Sequence, residues 1–593
     1  MDTRRWHRKG ADAALTAALA AALAACGGGG GGTPAPAPAP PAQGLALSGT
    51  AATGVALAGR PVDARCSTGS GSTTTGTDGS YSVTIAGAAL PCAMRVTLAD
   101  NTVLHGLATS GGGSGTSTSA RANLTPATQL VVAQLAGLDP AAYYAAFDGS
   151  AAAAATPARL ALAEAAVVAA LKDGGIDLTP AGDLLAGALT SGATPGSGNA
   201  YDSALDALRR ALAASGSTLA ALTATMAGSS LDVLAGGTPA SGSAALPPAQ
   251  LLRAAAANCA ALRSGSYRVL SPAEGATLAA KTGLLGVNVD ASNAAAPRIT
   301  YTDGSTGTWV ANGPCRYLDN AGRDDIVVSP AGLLAVRYTN DGGQTYRVGV
   351  GFPAQSHTLA ELAGTWNNLS LSTTATPGTY GATSARFTID AGGSLGPTAL
   401  FCANANWSLR LADCPFAVPG IAFRANADGG FDAVDMPGGG VGGRLFLYRA
   451  GNGDLMAVGA DADGSFHFAT HERHNSLPAV GTVSTSWSLF LNAQGRSTSP
   501  VGATTNTIVS VDTAAQSWVR SQANVGSPVT HPETLYANNP RDGFSLRSGG
   551  AAAGSDGSTV NVNEFTALGL RGMGMSVVVL PGPQLFLLAP SQP

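Results

Sequence analysis

Asp-Gly dipeptides recur through the C-terminal half of the chain and separate short apolar runs. Both residues of such a pair tolerate the positive φ that a tight β-hairpin turn requires. The apolar runs include 333–336, 445–448, 487–491 and 576–580, which have the length of strands rather than helices. The dipeptides are Asp303-Gly304, Asp341-Gly342, Asp428-Gly429, Asp463-Gly464 and Asp556-Gly557. This pattern predicts a large antiparallel β-region, a sandwich or a barrel, from Tyr267 onward.

The stretch from Asn123 to about Arg263 is instead rich in Ala and Leu at helical spacing. Three segments begin alike, at Thr125-Pro126, Thr156-Pro157 and Thr179-Pro180. Threonine suits the N-cap, and proline suits the first helical position, where its missing N–H is no loss. Four apolar residues would share one face of the second helix: Leu160, Ala163, Val167 and Leu171. The sequence therefore predicts a helical subdomain over 122–264.

Residues 45–110 alternate short β-prone runs with turn clusters, and Asp78-Gly79 predicts a hairpin turn. The pattern Leu57-Ala58-Gly59-Arg60-Pro61-Val62-Asp63-Ala64, followed by Thr77-Asp78-Gly79-Ser80-Tyr81, resembles carboxypeptidase regulatory-like (transthyretin-like) domains. That resemblance implies a small β-sandwich that serves as a spacer or binding platform. It does not imply protease activity.

The N-terminus has the parts of a secretory signal over residues 1–25. Four basic residues precede an apolar run, 13–25, that is too short to span a membrane. Leu23-Ala24-Ala25-Cys26 resembles the lipobox of bacterial lipoproteins, which implies that Cys26 carries fatty acyl chains and anchors the protein to a membrane. An ordinary cleaved signal with an incidental Cys26 is the alternative. Residues 26–44, rich in Gly and then in Pro, would form a tether.

The position after the anchoring cysteine implies a location. In lipoproteins of this kind an Asp there tends to retain the protein at the inner membrane, whereas this chain has Gly27. The resemblance therefore implies the outer membrane, on either its periplasmic or its exterior face.

The predicted architecture is multidomain and mainly β, with one helical subdomain. The β-region divides near Ser356 into a domain at 265–355 and a larger domain at 357–593. The larger domain begins with Leu362-Ala363-Gly364-Thr365-Trp366, which resembles the G-x-W opening of lipocalin-type barrels, where the Trp plugs the barrel floor. A buried Trp on an ordinary first strand is the alternative interpretation.

The cysteines divide into one for the lipid and six for disulfides, which an exported protein forms by default. Six cysteines permit 15 pairings, and sequence proximity favours three of them. The favoured pairs are Cys66–Cys92, Cys259–Cys315 and Cys402–Cys414. Metal ligation is disfavoured because none of these residues forms a C-x-x-C pair.

The densest cluster of titratable groups is His467, His471, Glu472 and His474. If strand and turn brought the three imidazoles together, they would bind Zn²⁺ or Cu²⁺. Solvated loop histidines are the alternative, since the spacing is one residue too short for H-E-x-x-H. The nearby 461–465 segment is followed by Phe466 where a calcium loop needs glycine at its sixth position, so a β-turn is predicted there.

Composition and motifs limit the classes of function that this chain is expected to have. With a net charge of −4 and no basic block, a nucleic-acid partner is not expected. The chain has no S-x-x-K or Walker A motif, so neither catalytic residues nor a cofactor are assigned. We therefore predict a non-catalytic binding or structural module that contacts an envelope protein or glycan. A hydrolase acting on glycan or peptide and a lipocalin-like carrier of a small apolar ligand are the alternatives.

Overall fold

The computed structural model describes residues 44–109, 119–230, 245–272, 284–293, 296–376, 378–404, 407, 415–417, 420–435 and 438–593. The fold is mainly β, with several sheets and one helical region, as the sequence predicts. Among the described residues, no helix has the length and apolar character needed to cross a membrane.

The first folded region is a pair of small sheets that share one apolar core. Its strands are β1 (Gly44–Thr50), β2 (Pro61–Thr68), β3 (Ser70–Thr74), β4 (Ser80–Ala86), β5 (Ala89–Thr97), β6 (Val103–Ala108) and β7 (Ser119–Arg121). One sheet has the order β4-β1-β7 and the other β3-β2-β5-β6. The turn at Asp78-Gly79 therefore leads from one sheet to the other, and the hairpin predicted there does not form. The turn closes locally, because Gly76 N donates to Ser80 O.

The helical region follows. Its helices are α1 (Pro126–Ala136), α2 (Pro140–Ala145), α3 (Gly149–Ala154), α4 (Pro157–Asp173), α5 (Ala200–Ser215), α6 (Leu219–Gly228) and α7 (Pro248–Leu251). Thr125 and Thr156 cap α1 and α4 as predicted. The buried residues of α4 are the four that helical spacing predicts. At the third Thr-Pro pair only a 3-10 turn forms, Thr179–Ala181, because Gly182 follows with φ 65° and ends it.

The next sheet is a closed barrel, which we call the first barrel. Its strands are β10 (Gly265–Leu270), β11 (Leu285–Asp290), β12 (Arg298–Tyr301), β13 (Thr306–Ala311), β14 (Arg316–Asp319), β15 (Asp325–Val328), β16 (Leu334–Tyr338) and β17 (Arg347–Pro353), paired in chain order. A two-stranded sheet, β8 (Ala255–Ala256) and β9 (Cys259–Arg263), precedes it. Every neighbouring pair is antiparallel, and β17 returns to β10.

A nine-stranded sheet, which we call the middle sheet, comes next. Its strands are β18 (Gly364–Thr373), β19 (Tyr380–Ile389), β20 (Thr398–Asn404), β21 (Pro415–Ala417), β22 (Ile421–Ala425), β23 (Phe431–Asp435), β24 (Val441–Arg449), β25 (Leu455–Asp461) and β26 (Phe466–His471). Their order is β21-β20-β19-β18-β26-β25-β24-β23-β22. A 3-10 helix, Leu359–Leu362, leads into β18.

The chain ends in a second closed barrel, the last barrel. Its strands are β27 (Val483–Leu491), β28 (Gly502–Asp512), β29 (Ser517–Asn524), β30 (Thr530–Ala537), β31 (Phe544–Arg547), β34 (Phe565–Leu570), β35 (Met575–Leu580) and β36 (Leu585–Pro590). A separate hairpin, β32 (Gly550–Ala553) and β33 (Thr559–Val562), joins β31 to β34. The range 357–593 thus contains two large sheets, the middle sheet and the last barrel.

Each of the five Asp-Gly turns predicted from Tyr267 onward lies between two strands that pair with each other. The glycines of these turns all have φ between 76° and 95°. This is the left-handed backbone that tight hairpins use and that glycine adopts without strain. The antiparallel β-region predicted from these dipeptides is therefore confirmed.

One apolar core joins the three large sheets. Phe352 of the first barrel lies 5.9 Å, between ring centroids, from Tyr448 of the middle sheet. Phe468 of the middle sheet lies 6.0 Å from Phe586 of the last barrel. These side chains project from the outer face of the middle sheet. Its inner face packs around a second core.

Candidate ligand-binding site

The middle sheet curls until its two sides meet. Leu395 N donates to Ile421 O at 2.9 Å, and Phe423 N donates to Gly393 O at 2.8 Å. The segment before β20 thereby pairs with β22, while β18 pairs with β26. The inner face becomes the lining of a rolled sheet. Because side chains alternate along each strand, every second residue points into this interior.

The space inside is a cavity of about 320 Å³, which falls within the usual range of small-molecule sites. Small residues, among them Ala385, Ala457, Gly459 and Ala469, form much of the wall and so leave this space open. Larger apolar side chains line the rest: Trp366, Phe387, Ile389, Leu395, Ile421, Phe423 and Leu445.

Trp366 closes one end of the cavity. Its side chain is 1% exposed, and its indole N–H donates to Leu362 O at 2.8 Å. The 3-10 helix beneath it is fixed by Glu361, which accepts from Thr358 N and from Arg449 Nη2. We call this end the floor. Trp366 is thus buried on the first strand of the middle sheet, as both interpretations of the G-x-W segment predict.

His471 completes the floor. It lies opposite Trp366 across β18 and β26, with 4.1 Å between the ring centroids. Burial, and then the nearby cations of Arg473 and Arg449, lower the pKa of His471 to about 4. The ring is therefore neutral at neutral pH and packs as an aromatic side chain.

Polar side chains form the other end of the cavity, which we call the polar end. Ser370 Oγ lies 2.7 Å from His467 Nδ1, because the two residues face each other across β18 and β26. Asn368 Oδ1 accepts a short hydrogen bond from the same hydroxyl. Asp461 Oδ2 lies 2.8 Å from His467 Nε2. The Asp461 side chain is 48% exposed, so this end is the one that meets solvent.

The surroundings of His467 favour the charged form of its ring. Burial lowers its pKa, but the carboxylates of Asp461 and Asp463 outweigh that effect, so the pKa is raised overall. The contact with Asp461 is an ion pair rather than an aligned hydrogen bond, because Nε2 has no acceptor in hydrogen-bond geometry among the described residues.

Arg444 adds a second cation to the lining. Its Nη1 donates to Asp428 Oδ2 at 2.8 Å, and its Nε lies 3.1 Å from Asp432 Oδ1. His467 and Arg444 are therefore each paired with carboxylates at the polar end.

Ser370, His467 and Asp461 have the composition of a hydrolytic triad, but the strand geometry opposes that role. A serine nucleophile needs N–H donors directed at the developing oxyanion. Ser370 lies in the middle of β18, which is paired with β19 on one side and β26 on the other. The backbone N–H groups around it are already used by these ladders.

The three histidines predicted as metal ligands have separate partners. His467 and His471 point to the same face of β26 but lie four residues, roughly 13 Å, apart. His474, 61% exposed, bonds to Asp542 Oδ1 at 2.9 Å through Nδ1. No three His, Cys, Asp or Glu side chains in the described part of the chain are placed to hold a metal ion.

The cysteines occupy structural positions. Disulfides join Cys66 to Cys92 and Cys259 to Cys315, the pairs that sequence proximity predicts. Cys92 lies opposite Cys66 on β5 and β2. The backbone of Cys402 lies in β20, and the third predicted pair depends on Cys414, which lies outside the described residues. The predicted lipidation site, Cys26, also lies outside them.

Sequence reasoning missed Asn368 and Ser370 and took Asp461 only as part of a turn. That turn is present, since Gly464 N donates to Asp461 O. A local signal existed: on β18 the polar residues Asn368 and Ser370 alternate with Leu369 and Leu371 and share a face with Trp366. Polar residues facing inward on a buried strand indicate a cavity or a polar network.

No protein-family profile and no curated protein matches the chain. Among solved structures, a protein of unknown function of the DUF3598 family from Nostoc punctiforme is similar at 12% identity, over 40% of this chain and 100% of that one, with a TM-score of 0.15. Transferrin binding protein B from Neisseria meningitidis is similar at 10% identity, over 56% and 78% of the two chains, with a TM-score of 0.16. A Trp-176-Ala mutant of that protein from Haemophilus parasuis is similar at 9% identity, over 56% and 76%, with a TM-score of 0.13. Similarities this weak do not bear on the function.

Proposed function

We propose that the protein is a lipid-anchored binding protein of the cell envelope, which holds a small, mostly apolar molecule in the middle sheet and performs no catalysis on it. The observation that supports this is the cavity of about 320 Å³, apolar over most of its wall and polar at one end. A concave apolar site with few convergent polar groups is typical of small-molecule binding.

The size of the cavity sets the expected affinity. A ligand of about a dozen non-hydrogen atoms, at roughly 0.5 kcal/mol per atom, would gain about 6 kcal/mol on binding. That corresponds to a Kd of tens of micromolar. The protein would then load and release its ligand readily, which suits a carrier or a sensor in the envelope.

The test is a titration with the uncharged fluorophore N-phenyl-1-naphthylamine. Residues Gln43–Pro593 form one compact unit, so this segment is used without the lipid. We expect saturable binding to the native segment and loss of at least about tenfold in affinity for Ala469→Phe, which fills the cavity. The matched control is Ala514→Phe, on an exposed turn, which should bind as the native segment does. Equal binding by all three proteins would refute the assignment.

The hydrolase alternative has its own test. A serine hydrolase working through Ser370 would react with a fluorophosphonate probe, and Ser370→Ala would abolish the reaction. We expect the native protein to show no more labelling than Ser370→Ala, because the backbone N–H groups flanking Ser370 are engaged in the ladders of β18 with β19 and β26. Labelling of Ser370 in the native protein would favour a hydrolase acting on glycan or peptide.

A further inference from the structure

We propose that Glu164 and Asp183 share one proton in mild acid, and that loss of this proton toward neutral pH loosens residues 183–189 from α4. We call residues 183–189 the junction segment. This inference concerns the contact between the small sheets and the helical region. It goes beyond the proposed binding function and does not depend on it.

The junction segment holds several elements together. Three of its leucines are buried in the core of the helical region: Leu184, Leu185 and Leu189. Its carbonyl oxygens accept hydrogen bonds from outside the segment. These bonds include Tyr201 Oη to Leu184 O at 2.8 Å, Asn123 N to Leu185 O at 2.6 Å, Asn123 Nδ2 to Gly187 O at 2.9 Å and Thr50 Oγ1 to Leu189 O at 3.1 Å. Because Thr50 lies on β1 and Tyr201 on α5, the segment joins the small sheets to the helices.

Two carboxylates meet where the junction segment contacts α4. Glu164 Oε1 accepts from Leu185 N at 3.2 Å, and Asp183 Oδ1 accepts from the same N–H at 2.9 Å. Asp183 Oδ1 also accepts from Ala186 N at 2.7 Å. Two acceptors of one N–H lie within about 6 Å of each other. At that distance two negative charges repel each other, whereas one proton between them adds a hydrogen bond.

Few other charged or titratable groups face the pair. α4 has no other charged residue between Arg159 and Lys172. On α5, burial raises the pKa of Tyr201 well above its usual value, so its phenol stays neutral. From β7, Arg121 lines the same cleft of about 220 Å³. Within the described residues, however, neither carboxylate forms an ion pair with a basic side chain. The cleft admits water, through which the proton exchanges.

The direction of the pH effect follows from where the proton binds. Burial, and then the charge of Asp183, raise the pKa of Glu164 to about 7, whereas a glutamate in an unfolded chain has a pKa of about 4.3. Between these values the closed segment binds more protons than the opened one. Its stability therefore falls as the pH rises. The effect of the proton is complete in mild acid and is lost above about pH 7.

The experiment is amide hydrogen exchange of the native protein from about pH 5 to about pH 7.5, with each rate corrected for the chemical exchange rate at that pH. We expect protection in the junction segment to fall at least about tenfold, the effect of one pKa unit, because exposure of Asp183 screens part of the repulsion. Helix α6 has no titratable residue. Its protection should change by less than about twofold and serves as the internal control.

Two variants identify the carboxylates responsible. The amide of Glu164→Gln still accepts from Leu185 N and donates to Asp183 at every pH, so its junction segment should show constant protection. Asp183→Asn should reduce the fall, because burial alone then acts on Glu164. Constant protection in the native protein would overturn the proposal, as would a Glu164→Gln protein whose protection falls as steeply as that of the native one. If Glu164→Gln does not fold, an unchanged fall in Asp183→Asn would overturn it.

Discussion

Gly364 is the residue at which the floor of the cavity depends on backbone conformation. Its φ is 138°, and a Cβ placed there would lie 3.2 Å from His471 Nε2. Such a conformation is strained for any residue with a side chain, by about 1–3 kcal/mol. The glycine of the G-x-W motif is therefore explained by the turn into β18 and by the close approach of His471, the ring that packs on Trp366.

We predict that Gly364→Ala lowers the free energy of unfolding of the middle sheet by about 1–3 kcal/mol. The midpoint of urea unfolding, followed by tryptophan fluorescence, measures the change. Gly502→Ala is the matched control, since Gly502 has ordinary φ and no atom within 4 Å of its Cβ position. Equal midpoints for the two variants would show that Gly364 is not strained.

The raised pKa of His467 predicts that the stability of the fold depends on pH. Its pKa in the folded state is raised above 6.5 by Asp461 and Asp463 acting against burial, with Ser370 and Arg444 as the other polar groups at that end. A group of this kind contributes stability that is complete below its unfolded pKa, about 6.5, and is lost as the pH rises through the folded pKa. The contribution of His467 should therefore be largest in mild acid.

The measurement is the difference in unfolding midpoint between the native protein and His467→Gln, followed from pH 5.5 upward. We expect the native protein to be more stable by about 1–2 kcal/mol at the acidic end, and the difference to shrink as the pH rises. A difference that grows with pH would contradict the assignment of His467 as a cation.

At the scale of elements, the three Thr-Pro pairs show what local sequence decides. Thr125 and Thr156 begin helices, but Thr179 bonds through its hydroxyl to Asp177 instead, and Gly182 ends the turn. The cap signal is the same in all three. The outcome differs because a preceding Asp competes for the threonine and a glycine three residues later takes a left-handed backbone.

We predict that Thr125→Ala lowers the protection of α1 amides from hydrogen exchange by about 1–2 kcal/mol, since it removes a buried capping box. Thr179→Ala is the matched comparison and should leave helix protection unchanged. Exchange measured peptide by peptide over Pro126–Ala136 decides the question. If Thr125→Ala lost protection only around Thr179 and not in α1, the role of Thr125 as the cap of α1 would be contradicted.

Local patterns also predicted the strands and turns of the middle sheet, but not its cavity. The rolled shape depends on hydrogen bonds between Leu395 and Ile421, and the polar end on Ser370 and His467, which are 97 residues apart in sequence. Register across a sheet is set by packing of whole faces, which no local spacing records. The strands, the turns and His467 could therefore be predicted from the sequence. The residues that contact His467 could be identified only from the fold.

At the scale of the whole molecule, the two faces of the middle sheet pack into different cores. Its outer face contributes to the core shared with both barrels, through residues such as Phe446 and Phe468, while its inner face forms a separate small core around Trp366. A cavity in an isolated sheet would weaken it, because the lining atoms lose contacts. Here the shared core stabilises the sheet from outside, which permits an open interior.

The remaining prediction concerns where the molecule is held in the cell. We propose that Cys26 carries fatty acyl chains and that Gly27 directs the protein to the outer membrane, since two or more chains anchor a protein durably. Cys26→Ser should release the protein from the membrane fraction, and the native protein alone should show the added mass of lipid. Gly27→Asp should keep the lipid but shift the protein to the inner membrane on a density gradient. An unmodified Cys26 would contradict the anchor, whereas a lipidated Gly27→Asp protein that still fractionates with the outer membrane would contradict only the role of residue 27.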